Sequence, residues 1–281
     1  MTVAIVTDSG SDLTAEELAE YGIRQVALSV AFGEKSYRSP DELPPDEFWR
    51  MIVAPGSPFP HTAAPSPAAF TTVFEQAFAA GAEGVVCVTL SETLSATIKS
   101  ATMAREAMAG RPIEIVDSRS ACMGIGALAI AGARMAREGA SVSKIAESLR
   151  LRQRRVDLYV ALETLEYLKK GGRISPARAA VGGLLSIKPI ITIEEGVVVT
   201  ADQPRTRAKA MERILELVTA KAAEEVHILY SPPADATAFR EAVLAQMPAP
   251  APARVTVRPI GPIIGAHIGP GAYGAILVLA E

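Results

Sequence analysis

Only three residues of the 281-residue chain are histidines, and His267 stands in a run of apolar residues, glycine and proline, IIGAHIGPGAYG. A buried imidazole is often just a satisfied core residue, but it can also bind an anion or carry a proton. Glycines at positions 261, 265, 269 and 271 allow the backbone to approach another group closely. This pattern indicates a ligand or a seam between domains beside His267.

Two hydroxyl side chains, Ser95 and Thr62, stand shortly before predicted helices. Ser95, in TLSETLSATIKSA, precedes a predicted helix, where its hydroxyl and the free amides of Ala96 and Thr97 could receive an anion. Helix N-capping alone is the simpler explanation of this serine. Thr62, in the loop PHTAAPSP, has no evident local role, so it is either a surface residue or a ligand hydroxyl.

Two further polar segments have structural explanations as well as functional ones. The turn TDSGSD holds Asp8 and Asp12 and would suit a metal or a phosphate, although turn and capping chemistry accounts for it. In LKKGGRIS, Gly171 suits a left-handed helix cap. Arg173 follows it and could face a carboxylate or phosphate, but pairing with an acidic neighbour is the simpler interpretation.

Composition and motifs exclude several function classes. With 28 Lys and Arg against 31 Asp and Glu, the chain lacks the positive field that nucleic acid requires. It has no GxSxG elbow, no GxxxxGK[ST] loop and no HExxH motif, so neither a metal nor a cofactor is predicted. Cys87 and Cys122 lie in apolar surroundings and are interpreted as core thiols. Without a signal sequence or membrane-spanning window, we expect a cytoplasmic protein.

Alternating strands and helices predict an α/β fold with two domains. Units such as VAIVTDSGSDLTAEELAEYG, with capping-box spacing between Thr14 and Glu17, imply a parallel sheet over residues 1–157. Over residues 158–281 the run IKPIITIEEGVVVTAD resembles a β-hairpin, and three more strand patterns follow, which predicts an α+β domain. Because ligands bind beyond the carboxyl ends of parallel strands, the loops there are the first candidates for a site.

In family order, seven segments of the chain resemble the DegV family of bacterial proteins, which bind fatty acids and present them to a fatty acid kinase. The resemblance spans nearly the whole chain. The segments are VTDSGSD, TAAPSP, LSETLSATIKSA, VDSRSACMGIG, LEYLKKGGRIS, IKPIITIEEG and GPIIGAHIGPGAYG.

The resemblance implies two α/β domains, with a ligand tunnel at or near their junction that buries the acyl chain. It implies that Thr62, Ser95 and His267 hold the carboxylate. It further suggests Arg173 as a more distant partner, and a set of neighbouring or lining candidates: Ala96, Ser118, Gly265 and Ile268. The implied protein is a non-catalytic lipid-binding subunit in phospholipid metabolism, with a fatty acid kinase as partner and at most peripheral membrane contact.

Two positions depart from the family pattern. Ala96 replaces the glycine usual after the motif serine, and Ile268 replaces the threonine usual after the histidine. Both departures leave the proposed polar groups intact, but they affect the expected chain length and unsaturation of the ligand.

Two other functions stay open from the residues alone. A hydrolase acting on an acyl ester would use Ser95 as nucleophile and His267 as base, in a triad assembled from distant loops. A regulator that binds a phosphate ligand would use TDSGSD or Ser95. The basic stretches at residues 150–155 and 205–209 are candidate docking patches for the kinase or a membrane surface, although solvated helix faces are the simpler interpretation.

Overall fold

The computed structural model describes residues 2–174 and 187–280. Ser175 of the GGRIS segment lies outside the described residues, as does Ser186, which precedes the predicted hairpin. None of the described helices has the length and apolarity that crossing a bilayer requires.

The N-terminal half is built on a four-stranded parallel sheet in the order β2-β1-β6-β7. Each strand of the central pair is buried on both faces, as expected where helices cover both sides. Val85 and Cys87 belong to one apolar cluster and Val86 and Val88 to another, as period-two alternation requires. The strands are β1 (Val3–Asp8), β2 (Arg24–Val26), β6 (Gly84–Thr89) and β7 (Ile113–Asp117).

The helices of this half begin and end at the expected signals. Thr14 and Glu17 form the capping box, Gly22 adopts the left-handed conformation after the first helix, and Ser66 caps a helix that starts at Pro67. The helices are α1 (Ala15–Tyr21), α3 (Pro67–Ala79), α4 (Thr97–Ala107), α5 (Met123–Arg137) and α6 (Val142–Arg152).

A small antiparallel sheet in the order β4-β3-β5 is inserted in the chain between β2 and α3. The segment that carries Thr62, interpreted from the sequence as a loop, is its edge strand β5. Pro60 stands at the first position of that strand, where a missing amide is tolerated, and prolines on both sides obscure the strand pattern. The elements are β3 (Leu28–Phe32), β4 (Lys35–Ser39), β5 (Pro60–Ala63) and α2 (Pro45–Ile52).

The C-terminal half contains a six-stranded sheet in the order β10-β9-β8-β13-β11-β12. Only the β11–β12 pair is parallel; the other neighbours are antiparallel, and β9 and β10 form the predicted hairpin. The strands are β8 (Val156–Ala161), β9 (Ile190–Glu194), β10 (Val197–Asp202), β11 (Ala223–Tyr230), β12 (Arg254–Pro259) and β13 (Tyr273–Leu279).

Two of the described helices, Arg207–Val218 and Thr237–Gln246, cover one face of this sheet. The other face joins the core of the N-terminal half. Ile214 and Phe239 pack on the helix-covered face. Leu158 and Ile276, on the opposite face, belong to the same apolar cluster as Ile5 and Leu128 of the N-terminal half. A boundary at residue 157 remains a prediction, because this core is continuous across it. The helices are α7 (Glu166–Lys170), α8 (Arg207–Val218), α9 (Thr237–Gln246) and α10 (Pro262–Ile268).

Three local features differ from the sequence interpretation. The glycine-rich segment around His267 is mostly a helix, α10, because Pro262 occupies its first turn and the glycines fall at its ends and on one face. Gly171 has a right-handed backbone, and the left-handed residue after α7 is Gly172 with φ of 70°. The N-cap of α4 is Ala96 rather than Ser95.

Candidate functional site

A largely apolar cavity lies between the two halves and encloses about 900 Å³ of empty space, counting its open end. Its floor is the C-terminal sheet. Leu158 and Val160 of β8 face it, as do Ile191 and Ile193 of β9 and Val198 of β10. Val160 of β8 pairs with Ile191 of β9, and Ile193 of β9 pairs with Val198 of β10, so neighbouring strands present adjacent apolar pairs to the cavity.

The opposite wall comes from loops of the N-terminal half and from α10. Leu90 and Leu94 follow β6, at the carboxyl edge of the parallel sheet, and Cys122 stands at the start of α5. Ile260 follows the end of β12, and Ile263 lies on α10, the helix that carries His267. The cavity therefore lies beyond the strand ends, where an open parallel sheet is expected to bind ligands.

Among the described residues, four polar side chains line this otherwise apolar cavity: Thr62, Ser95, Arg173 and His267. Thr62 lies on the edge strand β5, and Ser95 lies in the loop before α4. Arg173 lies in the segment after α7, and His267 lies on α10. Thr62 Oγ1 and His267 Nε2 are 2.8 Å apart and are hydrogen-bonded. These two residues are 205 positions apart in the chain, so only the tertiary fold brings them together.

His267 is held as a neutral ring. Burial, together with the nearby Arg173 and His61 side chains, lowers its pKa from 6.5 to about 4. Its Nδ1 atom is buried without a hydrogen-bond partner among the described residues. Gly171 packs against that side of the ring so closely that a Cβ there would overlap Nδ1.

Ser95 and Arg173 are fixed by local hydrogen bonds. Ser95 Oγ lies 2.8 Å from Thr97 Oγ1 and accepts a longer bond from the Thr97 amide. Arg173 donates from Nε to the carbonyl of Leu94 and from Nη1 to that of Gly171. Arg173 therefore links the loop that carries Ser95 to the glycine that packs on His267.

The other sequence candidates divide into two groups. Ala96 and Ile268 line the cavity. Ser118 and Gly265 lie outside its wall: Ser118 Oγ is buried in a turn and donates to the carbonyl of Ser120, and Gly265 packs against Phe48 and Trp49 of α2. Gly265 thus lets α2 approach α10 closely from the side away from the cavity.

The TDSGSD turn has a structural role at the sheet edge. Both oxygens of the fully buried Asp8 carboxylate accept backbone hydrogen bonds, from Gly10 and from Leu90. Ser9 Oγ accepts a bond from the amide of Leu28. Among the described residues, no cluster of His, Cys, Asp and Glu could hold a metal ion.

Several cavity residues were not identified from the sequence. Cys122 was interpreted as a core thiol, and it is buried and free, but it also forms part of the wall. The apolar residues at spacing two in β8 and β9 signal a shared buried face. Nothing in one sequence shows that this face borders a cavity rather than a packed core.

Each of the two basic stretches has side chains that form ion pairs within the molecule. Arg152 pairs with Glu224 and Glu225, Arg150 pairs with Glu114, and Arg207 pairs with Glu163 at 3.2 Å. Arg155 also pairs with Glu224. These pairs fit the structural interpretation of the two patches better than that of free docking surfaces.

The sequence model of the DegV family matches residues 2–280. A DegV domain-containing protein of Listeria monocytogenes is 34% identical over 278 residues, covering 97% of this chain and 96% of that protein. A fatty-acid-binding DegV family protein of Thermus thermophilus superposes with a TM-score of 0.90 at 33% identity, over the full length of both chains. DegV of Bacillus subtilis, described as a fatty acid binding protein, gives 0.86 at 28% identity, again over both full chains.

Proposed function

The chain belongs to the DegV family, and we propose that it binds a long-chain fatty acid in the cavity between its two halves. The observation that carries this proposal is the composition of the cavity wall. Apolar side chains from both halves surround the space, and Thr62, Ser95, Arg173 and His267 are the polar side chains that interrupt the apolar lining. A single-chain amphiphile with an anionic head has this distribution of polarity.

Hydrogen bonds at the polar groups would hold the carboxylate. A carboxylate moved out of water loses several kcal/mol of hydration. Each hydrogen bond to a charged group returns about 1.5 to 3 kcal/mol. The hydroxyls of Thr62 and Ser95 and the Nε2 atom of His267 are the proposed contacts, with Arg173 as a cationic neighbour. Two or three such contacts would offset the loss of hydration.

The apolar wall would supply most of the affinity. About 14 buried methylenes at roughly 0.8 kcal/mol each give an upper bound near 11 kcal/mol. Association and chain ordering reduce this value by several kcal/mol. The tail would therefore dominate the affinity, while the head group fixes the orientation.

We also propose that the chain does no chemistry alone and presents the bound carboxyl to a fatty acid kinase in the cytoplasm. The geometry around His267 argues against the hydrolase: Nε2 bonds to Thr62, Nδ1 has no partner, and Ser95 Oγ bonds to Thr97. A Ser–His–Asp triad instead requires the serine and a carboxylate on the two ring nitrogens. The alternative of a regulator that binds a phosphate ligand loses support, because the Asp8 carboxylate and the Ser9 hydroxyl already accept hydrogen bonds from backbone amides.

The first experiment is mass spectrometry of an organic extract of the purified protein, followed by delipidation and titration with palmitate. We expect about one fatty acid per chain and saturable rebinding. Thr62→Ala should weaken rebinding at least tenfold. The matched control is Thr72→Ala on the outer face of α3, where the hydroxyl only bonds within its helix.

An empty extract together with no rebinding would contradict the proposal. The kinase step has its own assay: acyl phosphate should form from ATP, fatty acid and a kinase subunit only when this protein is present. Formation at the same rate without it would refute presentation while leaving fatty acid binding intact.

A further inference from the structure

The second aspartate of the TDSGSD turn is unexplained by the proposed carboxylate contacts. Asp12 follows a short 3-10 turn and adopts a left-handed backbone conformation, with φ of 53°. It is absent from the cavity wall. Its carboxyl oxygen Oδ1 packs directly on Gly261, the residue that precedes α10, so closely that a Cβ there would overlap it. The Gly261 amide lowers the pKa of Asp12, and the Cys122 thiol is a neighbour.

Asp12 is anchored to the C-terminal sheet by a buried ion cluster. Arg258 of β12 donates to the backbone carbonyl of Asp12 at 3.0 Å and makes a two-pronged pair with Glu17 of α1, at 2.7 and 2.8 Å. Arg254, four residues earlier on β12, contacts the same Glu17 carboxylate at 2.8 Å. The cluster thus fixes the turn that carries Asp12 to the strand that leads into α10.

The helix α10 is held at both ends. At its start, the Asp12 carboxylate packs on Gly261, and the indole of Trp49 donates to the carbonyl of Ile260. At its end, Ser231 donates to the carbonyl of Gly269, and the ring of Tyr167 packs on the same glycine. His267 lies six residues after Gly261, about 9 Å along the helix axis.

We propose that Asp12 is a positioning residue for the head-group site: its carboxylate fixes the start of α10 and thereby sets the position of His267 against Thr62. This inference rests on the proposed function, because it names the ligand whose head group His267 meets. A seven-residue helix has little internal means of absorbing a shift at its start, so a displacement there reaches the imidazole. Errors of about 1 Å at a polar contact are enough to weaken it strongly.

The electrostatic setting agrees with an ionised carboxylate at neutral pH. Burial raises the pKa of Asp12 to about 6, while the Gly261 amide and the charge of Arg258 oppose that rise. The carboxylate of Asp8 is also close enough to raise it. At pH 7.5 Asp12 is therefore mostly charged where its carboxylate packs on Gly261.

The test is Asp12→Asn, which keeps the size of the side chain and tolerates the left-handed backbone that alanine would strain. Palmitate and hexadecanol are titrated into the delipidated protein. We expect palmitate affinity to fall about tenfold and hexadecanol affinity to stay within twofold, since the alcohol has no carboxylate to misplace. The matched control is Glu42→Gln, an exposed carboxylate paired with Arg38 on the surface, for which neither affinity should change.

A second readout needs no ligand. The pKa of His267, followed by NMR of its ring protons in the delipidated protein, should change by at least half a unit in Asp12→Asn and not in Glu42→Gln. An unchanged His267 pKa, or equal losses for palmitate and hexadecanol, would overturn the positioning role. Failure of the parent protein to bind palmitate would instead refute the proposed function, while the NMR result would still decide the role of Asp12.

Discussion

Binding of a fatty acid is expected to draw a proton onto the head-group site at neutral pH. In the ligand-free protein, burial and the nearby Arg173 and His61 side chains lower the pKa of His267 to about 4, so roughly one ring in a thousand is protonated at pH 7. Neither ring nitrogen has a hydrogen bond to any carboxylate in the described part of the chain. A ligand carboxylate supplies that missing negative charge.

The size of the proton uptake follows from the shift in the pKa of His267. Lowering a histidine pKa from 6.5 to about 4 corresponds to about 3 kcal/mol against the protonated ring. A charge-assisted hydrogen bond to a carboxylate returns about 1.5 to 3 kcal/mol. Such a bond favours the protonated ring by about 10- to 160-fold, so we expect uptake of about 0.01 to 0.14 proton at pH 7.

Calorimetry in buffers of different ionisation enthalpy measures this uptake directly. Because the complex binds the extra proton, the uptake should rise to about 0.04 to 0.33 proton at pH 6.5, and the dissociation constant should fall by up to about 1.5-fold as pH falls from 8 to 6.5. This window stays above the pKa of about 6 at Asp12, whose protonation would act in the opposite direction. His267→Gln should abolish the uptake.

Two results would refute this reasoning. Tight binding by the parent protein with no proton uptake would mean that the ligand charge does not reach the imidazole. The same uptake in His267→Gln would mean that another group takes the proton.

Three substitutions test other parts of the structure. Gly171→Ala, at an ordinary right-handed backbone, should displace His267 and weaken palmitate binding about tenfold; unchanged affinity in a fluorescence titration would contradict this packing. Glu17→Gln leaves Arg258 without its anionic partner and should lower the free energy of unfolding by about 3 kcal/mol in urea, and a loss under 1 kcal/mol would show that the pair is weak. Val160→Phe adds bulk at the cavity floor and should weaken long-chain acids more than shorter ones in competition assays, whereas equal effects would place the chain elsewhere.

Local sequence signals determined most elements and their ends. The capping box at Thr14 and the alternation in IKPIITIEEGVVVTAD each act within a few residues, and both predictions are confirmed. The motif resemblance also predicted the family. Short or proline-flanked elements such as β5 and α10 were missed, because their stability comes from neighbours distant in sequence.

The chemical character of the site was decided by the tertiary structure. The sequence named Thr62, Ser95 and His267, but the neutral state of the imidazole arises from burial and from the Arg173 and His61 side chains on other elements. The same holds for Asp12, which is a turn residue in the sequence and reaches α10 only through folding. Side-chain type is local information, whereas burial, charge environment and distance between remote segments depend on the packing of the whole chain.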